Sequence, residues 1–242
     1  KLLMRSSGVV LRGSGSQPET GTVLRAMGPM KDELIRVFGS KPIQTKETLH
    51  VADEYVPVNA TVIPMKSVVG LKAGDAIRVI RPSTAEWLSV LGTDKLGNEQ
   101  EYNFSKWSPG AYDMVWERTI KEVSAGSITV DVPLTMSLDP VYGGGYVKQV
   151  VHQGRIENVG IENLCCDSEY DVNNPKDEDH RWQAVTLNNV KNAWVRRMEA
   201  HHFAGSAVMA LEGALQVTVE DCKFLNPVSE IGNHRRYAFH TL

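Results

Sequence analysis

The chain has 242 residues, of which 42% are hydrophobic and 23% charged, with a formal net charge of −3. That is the balance of an ordinary globular chain of one or two domains. It lacks the basic excess expected of a nucleic-acid binder or of a protein held on an anionic surface, so neither nucleic acid nor membrane is an expected partner. No run approaches the roughly 18 apolar residues of a transmembrane helix. The three cysteines, Cys165, Cys166 and Cys222, read as small buried hydrophobes rather than a disulfide framework.

Taken in order, residues 1–28 read as short strands, Gly8-Val-Val-Leu11 and Thr22-Val-Leu24, around a Gly- and Ser-rich stretch from Arg12 to Gly21. No Lys-Ser/Thr follows that stretch, so a tight corner is expected rather than a phosphate cradle. Residues 29–149 change character. Short strands are expected at Val51–Val58, Thr61–Pro64, Ala76–Arg81, Asp113–Ile120 and Ser127–Val132, with Gly and Pro between them. This spacing suggests a small antiparallel barrel or sandwich, inserted between coils of another domain. Gly92–Ser108, with Tyr102, Phe104 and Trp107, reads as a long loop. The opening Lys1-Leu-Leu-Met and the final Tyr237–Leu242 both fall inside strand patterns, which reads as part of a longer chain.

Residues 150–242 repeat. Leu187–Met198 lies over Leu211–Cys222 at an offset of about 24, a period typical of repeat architectures. Leu187 then falls on Leu211, Val190 on Ala214, Val195 on Val219, Met198 on Cys222, and Val185 on Met209. An earlier copy begins at Ile156-Glu-Asn-Val-Gly-Ile161. Short alternating apolar runs broken by Asn and Gly indicate strands. A strand-only repeat of this length fits one coil of a right-handed parallel β-helix, its bore filled by stacked apolar side chains. The expected class is therefore all-β: first coils in 1–28, an inserted β domain in 29–149, and further coils in 150–242.

Ile161 to Val195 covers 34 positions and Val208 to Phe239 covers 31. The extra residues fall in Asp167–Arg181 and Pro227–Arg236, which follow the same strand of the coil as His201–Ser206. Those loops are expected on one edge, gathering Asp177, Glu178, Asp179, His180, His201, His202, Glu230, His234, Arg235, Arg236 and Tyr237. Loops on a rigid scaffold are where sites concentrate. Carboxylates, imidazoles and guanidiniums together suit an elongated acidic substrate such as a uronic-acid polysaccharide. For β-elimination, Arg235 or Arg236 would neutralise the sugar carboxylate, and His180, His202 or Tyr237 would serve as base or acid, with Arg236 in the catalytic set. His201, Trp182 and Glu230 would contact substrate. Asp177, Glu178 and Asp179 could hold Ca²⁺, the one cofactor suggested. Each set has a structural reading too: a solvated acidic loop, a buried corner histidine, an ion-pair network. Trp194 falls at an outward position opposite Thr218.

The coils Arg155–Leu164, Ala193–Arg197 and Val217–Cys222, with the opening Gly8–Gly15, resemble the pectate lyase superfamily. Lys176–Trp182, Phe203–Ser206 and Val228–Gly232 look like a bacterial subgroup of large secreted β-helix proteins. The resemblance implies a secreted or periplasmic protein acting on polysaccharide, usually as a lyase. A β-helix glycoside hydrolase, with a pair drawn from Asp177, Asp179 and Glu230, is the nearest alternative. A non-catalytic adhesin or tail-spike-like binding module, which can be a homo-oligomer, is the other.

Overall fold

The structure, a computed structural model, describes residues 1–41, 43–44, 47–96, 107–151, 153–233 and 235–241. His234, Tyr102 and Phe104 lie outside the described residues. Among the described residues the chain is all-β apart from one short α-helix and two 3₁₀ turns, and it divides into two units. The first comprises residues 1–42 and 152–242, the second residues 43–151.

The first unit begins with β1 (Leu2–Met4), β2 (Val10–Arg12), β3 (Val23–Ala26) and β4 (Glu33–Phe38). The second holds β5 (Ile43–Gln44), β6 (Leu49–His50), β7 (Val62–Pro64), β8 (Ala76–Arg81), α1 (Ala85–Leu91), β9 (Met114–Ser124), β10 (Ser127–Val130) and β11 (Tyr146–Val151). The chain then returns to the first unit with β12 (Ile156–Ser168), β13 (Gln183–Asn188), β14 (Val190–His201), β15 (Ser206–Ala210), β16 (Leu215–Glu220), β17 (Lys223–Leu225) and β18 (Phe239–Thr241).

In the first unit the chain alternates between two parallel sheets. Sheet one runs β1-β4-β13-β15-β18; in sheet two β12 pairs with β2, β3 and β14, and β14 pairs with β16 and β17. Each circuit adds one strand to each sheet on the same side as the last. The boundary expected at 28/29 therefore falls at 42/43, because β4 sits between β1 and β13 and buries Leu34, Ile35 and Val37 in the core of the first unit.

Side chains alternate along a strand, and a bend that kept strand geometry would spoil that alternation. The chain bends instead at single residues of positive φ, where Asn is the most tolerant residue after Gly. Gly8, Asn158, Asn192 and Gln216 (φ 74°, 55°, 50° and 54°) occupy matching positions on successive strands of sheet two. So do Asn163, Arg197 and Asp221 (57°, 47° and 52°), and His202 and Asn226 (65° and 50°). The corner side chains also hydrogen-bond between circuits: Arg197 Nε donates to Asn163 Oδ1 at 2.6 Å and Asn192 Nδ2 to Asn158 Oδ1 at 3.3 Å. Between corners the inward residues stack in columns. Val159 lies over Ala193, Ile161 over Val195, Leu164 over Met198, and Cys166 over Ala200.

The repeat offset is 24 in sheet two, where Val195 pairs with Val219, but 23 in sheet one. Val185 meets Val208 rather than Met209, and Leu187 meets Ala210 rather than Leu211. The extra residue is absorbed at the corner before β16, where Gly213 takes φ 74°. The longer offsets hold as expected, with Ile161 against Val195 and Val208 against Phe239.

In the second unit the antiparallel order β11-β8-β9-β10-β7 closes on itself. β6 pairs with β11, and the Val51–Met65 bridge joins the end of β6 to the end of β7. Ala52 N–H donates to Pro64 O and Lys66 N–H to His50 O, both at 2.9 Å. Closure removes the exposed edges a small sheet would otherwise present. Inside lie Ile63, Ile77, Val79, Trp116, Ile120, Ile128 and Val147. The expected strand at Val51–Val58 is reduced to bridges at Val51 and Val56, and α1 stands where no helix was expected. The Thr84 side chain accepts from Trp87 N–H and Gly92 ends the helix at φ 73°, an N-cap and C-cap pair spanning only seven residues.

Phe203 is fully buried in the first core. Phe203→Ala should lower the unfolding free energy by about 3–5 kcal/mol, read from urea or thermal unfolding.

Candidate functional site

Four successive connections of the first unit leave sheet two for sheet one on the same edge: residues 27–32, 169–182, 202–205 and 226–238. They are tied to one another in order. Arg181 forms an ion pair with Asp32, Lys31 Nζ meets Asp179 Oδ1 at 3.1 Å, and Trp182 N–H donates to Asp32 O at 3.2 Å. Ala204 N–H donates to Arg181 O at 3.1 Å, and Arg236 N–H donates to Ala204 O at 3.1 Å.

This edge brings together most of the expected site residues and engages them with each other. His180 is buried, its Nδ1 3.1 Å from Ser168 Oγ and its Nε2 3.2 Å from Asp177 O and 3.0 Å from Val228 O. Carbonyls only accept, so Nε2 carries hydrogen and the ring braces two loops. That burial takes His180 out of reach of a substrate and away from the role of base or acid expected for it. Glu178 is gripped by Arg235 through both Nε and Nη2, and the guanidinium lies 5.2 Å from the Trp182 ring. Arg235 thereby holds the Glu178 carboxyl below its usual value, against the opposing effect of burial. Trp182 Nε1 donates to Glu178 O at 3.2 Å, and Glu230 pairs with Lys176 Nζ at 2.9 Å. Arg236 donates through Nη2 to Ser229 O at 2.5 Å. Tyr237 is half exposed, edge-on to His240 at 5.3 Å.

The three carboxylates proposed for Ca²⁺ do not converge. Burial of Asp177 raises its carboxyl, but N–H donations from Asp171 and Asp179 outweigh this and leave it below its usual value. Glu178 is held by Arg235, and Asp179 pairs with Lys31. Among the described residues no three His, Cys, Asp or Glu side chains come close enough to hold a metal. Each acid faces its own donor, so Asp177, Glu178 and Asp179 do not fit the calcium site expected from the sequence.

The remaining two residues, His201 and His202, open onto a cleft of about 420 Å³ below this edge, lined also by Pro18, Val23, Arg25, Cys165 and Asp167. Its floor is the outward face of sheet two, where β3, β12 and β14 present Val23, Cys165 and Glu199 in one row and Arg25, Asp167 and His201 in the next. Its wall comes from the Gly- and Ser-rich stretch. That stretch is a looped excursion closed at its base by Thr22 N–H donating to Gly15 O at 3.0 Å. Gln17 at its tip donates to Glu199 Oε1 at 2.9 Å.

Two carboxylate–imidazole pairs meet here. His202 Nδ1 lies 2.8 Å from Asp167 Oδ1, and Arg25 Nη2 lies 3.3 Å from the other oxygen, Oδ2. His201 Nε2 lies 3.3 Å from Glu199 Oε2, while Lys223 Nζ meets Glu199 Oε1 at 2.9 Å. The Lys223 ammonium, with His201 assisting and burial opposing, holds the Glu199 carboxyl below its usual range. The Tyr170 ring stands 5.0 Å from that of His202. Burial above all raises the Cys165 thiol to about 11, which leaves it an unreactive floor residue at neutral pH. Glu199 and Arg25 lie on strands, outside the loop segments, and Asp167 and Tyr170 open the Asp167–Arg181 segment without joining its charged cluster. For Asp167 and Glu199 the signal is strand alternation: Cys165-Cys-Asp167 and Glu199-Ala-His201 are outward–inward–outward triplets at matching positions of two circuits.

No family model matches the chain, and no curated protein matches it. The solved structures it is similar to include three phage tailspikes. The Gp54 tailspike of Acinetobacter baumannii bacteriophage AP22, solved in complex with A. baumannii capsular saccharide, is 12% identical, with 87% of this chain and 29% of that one covered and a TM-score of 0.40. The tailspike gp49 of Pseudomonas phage LKA1 is 12% identical, at 91% and 36% coverage and a TM-score of 0.41. The tailspike gp61 of Pseudomonas phage phi297 is 11% identical, at 90% and 38% coverage and 0.38. The chain spans about a third of the length of these proteins.

The Glu178–Arg235 pair couples the edge to pH. A carboxyl lowered in the folded state contributes stability above its unfolded value, near 4.5, and loses it as pH falls through the folded value. Glu178→Gln should therefore flatten the acid limb of a thermal-stability profile below about pH 4.5 and leave the difference from wild type constant at neutral pH.

Proposed function

We propose that the first unit is a stretch of right-handed parallel β-helix and that the protein acts on an acidic polysaccharide, cleaving it by β-elimination in the cleft at His202. The alternating path between two parallel sheets supports the first part. The observation that carries the second is the Asp167–His202 contact at 2.8 Å beside Arg25 in an open cleft. With Nδ1–H donating to Asp167, the Nε2 lone pair of His202 is the base. Arg25 supplies the positive charge that acidifies the proton next to a uronate carboxylate. His202 takes that proton from C5, the C4–O bond breaks, and the electron pair becomes the C4–C5 double bond. The departing oxygen takes a proton from His201, held against Glu199. Such a substrate lies outside the cytoplasm, and we place the protein in the periplasm or among secreted proteins.

Hydrolysis is the second reading. It needs one protonated and one ionised carboxyl group flanking the bond. Lys223 holds the Glu199 carboxyl below its usual range, which disfavours it as the acid, and both Asp167 oxygens are already engaged, one by His202 and one by Arg25. This favours imidazole chemistry.

The test is turnover of alginate, polygalacturonate and hyaluronan by wild type, His202→Asn and Asp167→Asn; asparagine tolerates the positive φ at 202. Elimination predicts ultraviolet-absorbing unsaturated ends, with the His202→Asn rate down by about 10²–10⁴. New reducing ends without that absorbance would establish hydrolysis instead. Saturable binding without either product would make the chain a binding module.

A further inference from the structure

Sheet two turns through the Asn163–Arg197–Asp221 corners, so its stretch before those corners faces a different direction from the cleft at His202. The outward residues there form two rows. One runs Val10, Gly160, Trp194, Thr218; the other runs Arg12, Glu162, Arg196, Glu220, with charge alternating at every strand. Trp194 is locked in place. A Cβ on Gly160 would come within 2.2 Å of the indole Cε2, so the ring lies directly on the backbone of β12. Its Nε1 donates to Glu162 Oε1 at 3.1 Å. Glu162 is itself buried and held by Arg12 at 3.3 Å and Arg197 at 3.2 Å. Because the ring leans towards β12, the space above β16 is vacated. A second cleft of about 440 Å³ opens there, bordered by Trp194 with Asn192, Arg196, Gln216 and Thr218.

We propose that this cleft is a second carbohydrate-binding site, separate from the one at His202. A pyranose has an apolar C–H face and a rim of hydroxyls. The immobilised indole offers a flat apolar partner that loses little conformational freedom on binding. Asn192, Gln216 and Thr218 supply donors and acceptors for hydroxyl groups, and the Arg196 guanidinium, 5.5 Å from the indole and paired through Nε with Glu220 at 3.2 Å, brings the positive charge that a carboxylate-bearing sugar would compete for. The volume falls within the roughly 300–1,000 Å³ of small-molecule sites. No residue here is a base or nucleophile aimed into the space, so the site holds a chain without cleaving it. The inference shares with the proposed function only the class of ligand.

The test follows the indole N–H resonance of Trp194, assigned by comparison with Trp194→Phe, during titration with oligosaccharides of alginate, polygalacturonate and dextran. A saturable shift at millimolar sugar is expected with at least one acidic oligosaccharide. It should persist in His202→Asn and vanish in Thr218→Arg, which fills the cleft from β16 without touching the Trp194–Glu162 contact. An indole unmoved by all three sugars overturns the proposal, and so does a shift that survives Thr218→Arg. A shift lost in His202→Asn overturns the separateness of the two sites. Turnover in Thr218→Arg at the wild-type rate on short oligosaccharides, with the indole response gone, would separate the binding cleft from the catalytic one.

Discussion

The left-handed corner residues are the constraint on which the first unit rests. A strand that bends through one residue of positive φ resumes its in–out alternation on a new heading, so one residue keeps two faces in phase. Stacking such residues in columns keeps every circuit in phase with the next. An isolated left-handed residue other than Gly costs on the order of 1–2 kcal/mol. Asn lowers that cost, and the side-chain contacts along the corner columns offset more of it. Once the corners are aligned, Leu164 meets Met198 and Cys166 meets Ala200 without further instruction.

The same phasing builds the outer surface. Outward positions on successive circuits lie side by side, so a residue far away in sequence becomes a neighbour one strand over. Arg25, Asp167 and His201 form one row in this way, as do Arg12, Glu162, Arg196 and Glu220. A surface of this kind is written as columns across circuits, and a reader moving along the chain meets only one letter of each column at a time.

That explains what was legible in the sequence. The repeat, the 34- and 31-residue offsets and the shared edge of the long loops follow from spacing alone. The 23-residue offset of sheet one did not, because apolar residues at both 208 and 209 and at both 210 and 211 fit either register, and only the strand pairing decides. The cleft was half legible. His201 and His202 stand out as a pair, whereas Asp167 and Glu199 read as single acids at strand ends until the strands are laid side by side. The loop residues with the strongest chemical look, Asp177 to His180 and Arg235–Arg236, are taken up by partners in and beside the same loops. Four successive loops need internal partners to hold against one another, and charged side chains supply them. In the second unit, β8 to β10 were legible from alternation, but the Val51–Met65 closure is a contact between two weak strand ends and leaves no local pattern.

The chain departs from the first unit beside the place where it comes back. Ser40 N–H donates to Gly154 O at 2.8 Å, and a Cβ on Gly39 would sit 2.5 Å from that same carbonyl, so the two strands of backbone pass too closely for any side chain between them. To the circuits, then, everything from 43 to 151 is a single hairpin loop with its stem already tied. Loop length costs entropy only logarithmically, and a stem held this way makes the cost nearly independent of what hangs from it. Such a doorway can admit, lose or exchange a whole folded unit while the circuits on either side keep their register.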